Sequence, residues 1–593
     1  MRSILGLLCV LPVTIAAFAQ TPVSDLKAEY RDGQVFLTWK EAGVPEGTTF
    51  NVYLSAEPIA ADNLREAKRV CQWILPHSAE DWWLDPYAFG RGPKSDPKTG
   101  KKPVYTPRGF LIREGGERLD PKSGLHVHTV APDETGERYY AVTTFLNGKE
   151  DTALAPGANS LTRPVNQRVE PVRPIWQQEL PAALKAGAGD GKPCMLNLHA
   201  KGNRRATKYL MFGDATHAWR EGVPFKFDVS VSATRVDLYP SNTMYTGRPF
   251  KRARDGRNRN KIAIFCFWYG CSDRMFEQEL IPEGTPTNYS ERRLLTIISW
   301  AKKHLGIDPN RVYCHGGSMG GCGGMSFAFR HPEIFAAINA HVPIVAYNEG
   351  DPARGRKLGW HSNTYRLVGF CGPLSLKCSD GVTLKDRLDS RLFARSHPGD
   401  LPFLVIANGR NDASIPWHNN PDFYRALQEM RHGCMIAWND GSHPETRKKL
   451  PPEFKRWTGF ERLSRFALNK SYPAFSNCSK NGDPGNGDST DGDVVGYMNL
   501  GLNWKDVKDT PRRYETTVFW ELDPKELPLS VDVTPRRIQA FKLKPGDKCA
   551  AVNMDASGKE VQRVTLTADA HGLVTFPGFH VTSAKGNRLV LTQ

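Results

Sequence analysis

Apolar and polar residues alternate with period two through the first part of the chain. Val35-Phe36-Leu37-Thr38-Trp39 follows the turn residues Asp32-Gly33, and Phe50-Asn51-Val52-Tyr53-Leu54 follows Gly47-Thr48. Residues 125–130 and 138–143 repeat the pattern ahead of the turn Asn147-Gly148. Successive side chains of a strand point to opposite faces, so such runs between Gly, Asp and Asn predict the half-buried strands of a β-sandwich. Between about 172 and 470 the texture changes. Apolar runs at 195–199, 262–267 and 312–314 alternate with helix-length amphipathic segments. In one of these, Ser290 is placed to cap a helix that carries Leu294, Ile297, Ile298 and Ala301 on one face, and Asp308-Pro309 is placed to end it. Strand, crossover helix and strand predict a parallel sheet in an α/β layer structure. From about Pro473 the chain turns Asn/Gly/Asp-rich. Alternation then returns at 514–519, 529–533 and 562–566, which predicts a second, closing sandwich.

The ends and the punctuation divide this pattern into units. After Met1-Arg2, residues 4–17 are apolar and lead to Ala17-Phe18-Ala19 before Gln20, the pattern of a removable export leader over 1–19. The run is shorter than a membrane span and is interrupted by Pro12, and no later segment approaches that length. The expected units are then a β-sandwich at 20–165, an α/β unit at 166–472, and a linker with a closing sandwich at 473–593. The stretch from Leu64 to Gly124 is long for a sandwich loop and predicts an insertion carrying Trp82-Trp83. A secreted or periplasmic protein without a membrane partner is expected.

Composition narrows the chemistry. With 40% hydrophobic and 24% charged residues among 593, the chain is an ordinary globular one, which excludes collagen-like, coiled-coil and wholly disordered classes. Lys and Arg number 79 against 63 Asp and Glu, a formal charge of +16, which favours an anionic polymer as partner through long-range attraction. The cationic run at 251–259 is either a local patch for such a polymer or a solvated turn. No nucleic-acid-binding module accompanies the charge, so nucleic acid is not an expected partner. Twelve cysteines less Cys9 leave an odd number. Cys266/Cys271 and Cys371/Cys378 are near enough in sequence to pair, though spacing does not set connectivity. The chain has no C-x-x-C, no H-E-x-x-H and no phosphate-binding loop, so no metal or nucleotide cofactor is expected. Asp483, Asp488, Asp491 and Asp493 cluster in the Gly-rich stretch 481–493 and leave two readings open, a Ca2+ loop or a solvated turn.

One motif carries the functional expectation. Val312-Tyr313-Cys314-His315 runs into Gly316-Gly317-Ser318-Met319-Gly320-Gly321, which contains G-x-S-x-G between an apolar strand and a helix. A nucleophilic serine needs a sharp strand-to-helix turn with small neighbours, and the helix that follows aims its N-terminal amides at developing negative charge. Serine alone is a weak nucleophile and needs a base oriented by an acid, in the chain order Ser, acid, His, each at a strand end. The apolar run 401–407 ends in Asn408-Gly409-Arg410-Asn411-Asp412, and the run 435–438 leads into Gly441-Ser442-His443. Asp412 and His443 are therefore the expected acid and base. Asp440 is the rival acid, and His418 and His432 are rival bases without the strand-end position.

Residues from about 190 to 450 resemble the α/β-hydrolase superfamily. The likeness is strongest to its secreted carbohydrate-esterase, feruloyl-esterase and polyhydroxyalkanoate-depolymerase-like members. The residues that carry it are Asp308-Pro309-Asn310-Arg311-Val312-Tyr313, the Gly316–Gly321 motif, His331-Pro332-Glu333-Ile334-Phe335, Gly409-Arg410-Asn411-Asp412 and Gly441-Ser442-His443. The N-terminal strands resemble a fibronectin type III module, with Trp39 in the second strand, Asn51-Val52-Tyr53 in the third and Tyr139-Tyr140-Ala141-Val142-Thr143 near the end. The resemblance implies a cofactor-free serine hydrolase working through an acyl-enzyme. Its oxyanion hole would combine the Met319 amide with that of Ala200 or Lys201, in the loop where the family carries His-Gly and this chain His199-Ala200. Trp268, Tyr269 and Trp417 either wall the substrate pocket or pack in the core. The leading expectation is a secreted serine esterase acting on acetyl or feruloyl esters of cell-wall polysaccharide. The alternatives are a prolyl-oligopeptidase-like peptidase, for whose propeller the N-terminal part is too short, a polyester depolymerase, and a binding protein with a degenerate centre.

Overall fold

The computed structural model describes residues 22–80, 97–102, 106–113, 115–170, 184–198, 225–240, 284–347, 374–488 and 490–593, with short stretches at 209–211, 243–245, 263–265 and 267–272 and a few single residues. The expected leader, Trp82-Trp83, the loop 199–201, the cationic run 251–259, Cys266 and Cys371 lie outside the described residues.

Eight strands build the N-terminal unit: β1 (Val23–Arg31), β2 (Gln34–Glu41), β3 (Thr49–Ser55), β4 (Lys68–Ile74), β5 (Gly124–Thr129), β6 (Gly136–Leu146), β7 (Lys149–Asp151) and β8 (Val165–Gln167). They form a three-stranded sheet, β1-β2-β5, and a second sheet, β4-β3-β6-β7, with β8 on β6. Alternation places Val35, Leu37 and Trp39 of the first against Phe50, Val52 and Leu54 of the second in one core. Trp39 meets Phe50 edge-on at 5.6 Å, a favoured aromatic geometry. This is a two-sheet sandwich.

The middle of the chain adds β9 (Cys194–Leu198), β10 (Tyr209–Met211), β11 (Phe225–Val231) and β12 (Val236–Pro240). Two short ladders follow, β13 (Thr243–Tyr245) with β14 (Ala263–Phe265) and β15 (Cys271–Ser272) with β16 (Pro286–Thr287). Then come helix α1 (Tyr289–Trp300), β17 (Val312–Gly317), helix α2 (Met319–Arg330), β18 (Ala337–His341), β19 (Phe403–Gly409), helix α3 (Asn420–Glu429) and β20 (Cys434–Asn439). With β22 (Gly496–Met498), which follows β21 (Tyr472–Ser476), they form a nine-stranded sheet in the order β10-β11-β12-β9-β17-β18-β19-β20-β22. Pairing is parallel from β12 through β20 and antiparallel at both edges. The expected α/β layer with a parallel sheet is present.

Three local expectations are corrected. Within the strand expected at 262–267, Ala263–Phe265 pairs β13 rather than the main sheet; the place beside β9 belongs to Val236–Pro240, whose single apolar alternation is a weaker signal. Helix α1 begins at Tyr289, so Ser290 lies inside it and donates its amide to the Tyr269 carbonyl. The chain leaves the helical path at Gly306, in the left-handed region at φ 67°, before Asp308-Pro309 is reached.

The C-terminal part has a three-stranded sheet, β21 with β25 (Leu529–Arg536) and β28 (Phe576–Val581). A five-stranded one holds β23 (Leu502–Thr510), β24 (Arg513–Trp520), β26 (Lys548–Met554), β27 (Glu560–Thr567) and β29 (Asn587–Thr592). It is not a bead on a linker. The chain enters it at β21, returns to the central sheet as β22, and crosses back to β23. The two faces of the central sheet explain why. Leu196, Cys314, Ile338, Leu404 and Ile436 pack on one face with α1 and α2. Met195, Tyr313, Ala337, Phe403 and Met435, one residue out of register, face the other way and share a core with Phe466, Tyr472, Trp504, Val531 and Phe576. The Phe403 ring stacks on Phe466 at 4.0 Å. Buried Arg537, just past β25, donates to the Ala336 and Phe335 carbonyls at 2.8 and 2.9 Å, and Arg536 donates to Asp400 at 2.7 Å. The closing strands therefore cover a sheet face that would otherwise be exposed apolar surface.

The N-terminal sandwich carries an acid-sensitive site. His126 on β5 is fully buried, with neither ring nitrogen hydrogen-bonded among the described residues. Beside it, His128 contacts Glu134 at 2.7 Å, and Glu134 also receives Lys68. Burial, then the nearby charge of His128, push the His126 pKa down to about 3. An unfolded imidazole titrates near 6.5, so the unfolded chain takes up the proton first. Stability contributed by neutral His126 is full above about pH 6.5 and is lost as pH falls from there toward about 3. Urea unfolding of the full chain, followed by Trp fluorescence, should show the N-terminal transition moving to lower urea between about pH 7 and about pH 4.5. His126→Phe should flatten that dependence; an unchanged slope in the variant would assign it elsewhere.

Candidate active site

The site is assembled at the carboxyl ends of β17, β19 and β20. At the end of β17 the chain turns sharply, with Ser318 at φ 55° and ψ −124° before α2 begins at Met319. Such a conformation costs a non-glycine residue on the order of 1–3 kcal/mol and must be held by its surroundings. Two main-chain hydrogen bonds hold it: the Ser318 amide donates to the His341 carbonyl at 2.8 Å, and the Cys322 amide donates to the Ser318 carbonyl at 2.8 Å. Close approach holds it as well. A Cβ on Gly316 would stand 2.3 Å from the Gly320 carbonyl oxygen, and one on Gly321 would stand 2.7 Å from the His341 oxygen. Gly317 is under no such constraint, its nearest neighbour lying at 3.9 Å.

After β19, Asp412 is buried, and both its oxygens are engaged. Oδ1 accepts the amides of Ser414 at 2.7 Å and Ile415 at 2.9 Å, and Oδ2 accepts His443 Nδ1–H at 2.6 Å. After β20, a turn closed by the Glu445 and Thr446 amides on the Ser442 carbonyl carries His443. With Nδ1 donating to the carboxylate, Nε2 is left as acceptor, and the Ser318 hydroxyl donates to it at 2.9 Å. Ser318, His443 and Asp412, the first two of which are 125 residues apart in the chain, thus stand in one hydrogen-bonded row. Both distances are within proton-transfer reach.

The rivals are placed elsewhere. Asp440 points outward and pairs with Lys449 Nζ at 2.9 Å. His432 is buried, donates Nε2–H to the Ala394 carbonyl at 2.9 Å, and is pushed by burial to a pKa of about 3. The His418 main chain packs against Gly487 of the 481–493 loop.

The Met319 amide opens α2 beside Ser318, where the positive end of the helix dipole favours negative charge. Ala200 and Lys201 lie outside the described residues. Trp268, Tyr269 and Trp417 are corrected as pocket walls: at 1, 4 and 3% exposure they are core residues. Trp268 fills the space beside Gly323 of α2, where a Cβ would fall 2.5 Å from it. Tyr269 lies under the Arg330 guanidinium at 5.3 Å. Trp417 packs on Tyr424 and Trp438. Cys378 carries a free thiol, 3.2 Å from the Tyr269 hydroxyl. In the 481–493 loop the carboxylates, on exposed residues, are taken up by the loop's own amides. Asp483, Asp488, Asp491 and Asp493 accept the amides of Gly485, Thr490, Asn486 and Asp483 at 2.8 to 2.9 Å. This favours the turn reading over the Ca2+ reading, and among the described residues no group of three or more His, Cys, Asp or Glu is placed to hold a metal ion.

One neighbour was not expected from the sequence. His341, at the end of β18, supplies the carbonyl that fixes Ser318, and its ring stands beside Gly317. Burial, then the charges of Arg447, His443 and His315, push its pKa down to about 4, so it stays neutral at ordinary pH. Only the parallel register, which pairs Gly317 with His341, brings it there.

A model of the prolyl oligopeptidase family matches residues 291–353, a segment that contains Ser318 but is too short to place the whole chain in that family. No curated protein matches. Among solved structures the chain is similar to an S-formylglutathione hydrolase from Agrobacterium tumefaciens, at 13% identity and a TM-score of 0.28, covering 57% of this chain and 92% of that one. It is similar also to Porphyromonas gingivalis dipeptidyl peptidase 4, at 13% identity and a TM-score of 0.29, covering 55% of this chain and 42% of that one. A ferulic acid esterase is similar at 12% identity and a TM-score of 0.27, covering 46% of this chain and 86% of that one. Scores this low carry no weight on substrate. The matched segment and the contact row from Ser318 through His443 to Asp412 mark a serine hydrolase of the α/β-hydrolase type.

The two carboxylates should separate cleanly by mutation. Asp412→Asn leaves the geometry but presents the wrong hydrogen-bond partner to His443, and should lower kcat for a nitrophenyl ester by about 10⁴. Asp440→Asn, which loses only the solvent-exposed pair with Lys449, should stay within about threefold of wild type. The reverse ranking would move the acid role to Asp440.

Proposed function

We propose that the protein is a serine carboxylic-ester hydrolase, exported from the cell, that acts on acyl esters of cell-wall polysaccharide. The observation that carries the hydrolase reading is the contact row from Ser318 Oγ through His443 to Asp412, at 2.9 and 2.6 Å. In this reading Ser318 Oγ attacks the ester carbonyl as His443 Nε2 takes its proton, and Asp412 stabilises the imidazolium. The Met319 amide and a second amide from the Ala200-Lys201 loop stabilise the tetrahedral oxyanion. Collapse expels the alcohol, which receives the proton from His443, and leaves an acyl-Ser318 ester. Water, deprotonated by His443, then attacks that ester and releases the acid. No cofactor enters these steps.

The polymer part of the proposal has separate supports. The net charge of +16 favours a polymer bearing acidic groups. The split of the N-terminal strands into β1-β2-β5 and β4-β3-β6-β7 supports reading that unit as a fibronectin type III-like module. The apolar run at 4–17 before Ala17-Phe18-Ala19 supports export, to the periplasm or the medium. A second reading, a peptidase, is favoured by the prolyl oligopeptidase family match at 291–353. A polyester depolymerase shares the same chemistry with a different alcohol.

Purified protein should hydrolyse short-chain nitrophenyl esters and leave aminoacyl nitroanilides untouched, and Ser318→Ala should lose about 10⁴-fold or more of the esterase activity. Acetylated, feruloylated and methyl-esterified polysaccharides offered side by side should then release acid from one class above the others. Turnover of the anilides alone would turn the assignment to the peptidase.

A further inference from the structure

The acid loop is held from outside the strands that build the site. Arg410 lies two residues before Asp412 and is 3% exposed. Its guanidinium is enclosed by main-chain carbonyls of the Asn/Gly/Asp-rich loop that precedes β22. Nη1 donates to the Asp493 oxygen at 2.5 Å and the Gly492 oxygen at 3.2 Å. Nη2 donates to the Asp491 oxygen at 2.8 Å and the Asp488 oxygen at 3.3 Å. The indole of Trp417 closes one face, 5.6 Å from the guanidinium carbon. The Arg410 amide donates to the Asn439 carbonyl at the end of β20, the strand that leads to His443.

The loop is shaped to receive a cation. Its aspartates bind its own amides, as described above, which turns the carbonyls inward. The Asp493 carbonyl also accepts Trp438 Nε1–H at 2.8 Å, and Arg425 donates to the Gly485 carbonyl at 2.9 Å, so the loop is tied to β20 and α3. A planar guanidinium with five donors fits a ring of carbonyls that an ammonium or a neutral side chain would leave partly unpaired. Unpaired carbonyls in a buried site are costly, so the ring and the arginine hold one another.

We propose that Arg410 is a positioning residue, and that the carbonyl cage of Asp488, Asp491, Gly492 and Asp493 clamps its guanidinium so that the 409–415 loop presents Asp412 to His443. The proposal rests on the hydrolase reading of Ser318, His443 and Asp412. It gives the aspartate-rich stretch a role that needs no metal: the cation of that loop is a side chain of the acid loop itself. It also explains the excursion of the chain into the central sheet at β22, since β22 anchors the cage against β20.

The test compares wild type, Arg410→Ala, Arg410→Lys, Asp491→Ala and Ser318→Ala, all as full chains. Labelling by a fluorophosphonate and turnover of nitrophenyl acetate are measured together with melting temperature. Wild type should label and turn over, and Ser318→Ala should do neither; a wild type that does neither would overturn the hydrolase reading, independently of Arg410. Folded Arg410→Ala should lose about 10–100-fold in kcat with KM within about twofold, the signature of a displaced catalytic group rather than a lost substrate contact. Arg410→Lys should recover part of the loss. Guanidinium at a non-denaturing concentration should recover Arg410→Ala, whereas NaCl or urea at the same concentration should not. Asp491→Ala leaves Arg410 and the Asp491 carbonyl in place but removes the carboxylate that holds the Asn486 amide, loosening the loop, and should lower kcat in the same direction, so the proposal stays testable even if Arg410→Ala does not fold. Wild-type kcat in folded Arg410→Ala, a loss carried by KM, or no recovery with guanidinium would each overturn it.

Discussion

Everything catalytic in this molecule depends on one backbone turn. Ser318 sits at φ 55° and ψ −124°, a conformation its own side chain disfavours, between the end of β17 and the start of α2. The conformation persists because the alternatives are closed off: its amide is bound to His341, and Gly316 and Gly321 admit the main chain where any Cβ would collide. The turn lifts Oγ off the sheet edge and sets the first amides of α2 beside it. From that fixed point the other two residues need only reach inward from neighbouring strands. Parallel pairing of β18, β19 and β20 makes them reach from the same edge, because parallel strands end together.

The central sheet extends the same logic to the rest of the chain. A parallel sheet must be covered on both faces. Here α1 and α2 cover one face, and the C-terminal sheets, with the segment 452–466, cover the other. Trp504 and Phe576 are thus part of the same core as Phe403 and Met435. Arg537 on the main-chain carbonyls of Phe335 and Ala336, and the return of β22 to the sheet edge, make the C-terminal sheets a structural part of the unit that holds the site. A boundary drawn at 473 from composition marks a change of texture, while the packing crosses it.

Much of this was legible in the residues. Period-two runs at 35–39 and 50–54 correspond to β2 and β3, and the apolar stripe of Leu294, Ile297 and Ile298 is buried as its spacing requires. Gly316-Gly317-Ser318-Met319-Gly320 stands at a strand-to-helix turn, and Asp412 and His443 stand at strand ends. The readings that the sequence left open share a cause. Trp268, Tyr269 and Trp417 flank the site in sequence, but an aromatic beside a catalytic loop packs or recognises according to which way it points, and sequence does not say. The aspartates of 481–493 left a metal reading open because the guanidinium that this loop's carbonyls accept, that of Arg410, lies 81 residues from Asp491 in the chain.

What the sequence by itself determined is therefore local: where strands and helices fall, which residue is built as a nucleophile, and which acid and base have the strand-end position to serve it. Each of these follows from steric and periodic rules that act within a few residues. Only the tertiary structure decided which residues meet. The register of β17 on β18 brought His341 to Ser318, the excursion to β22 brought the carbonyls of Asp488, Asp491, Gly492 and Asp493 to Arg410, and the opposite faces of one sheet joined the C-terminal strands to the hydrolase core. Those contacts depend on the burial of apolar faces and the pairing of main-chain groups across long separations, and no short-range pattern along the chain encodes them.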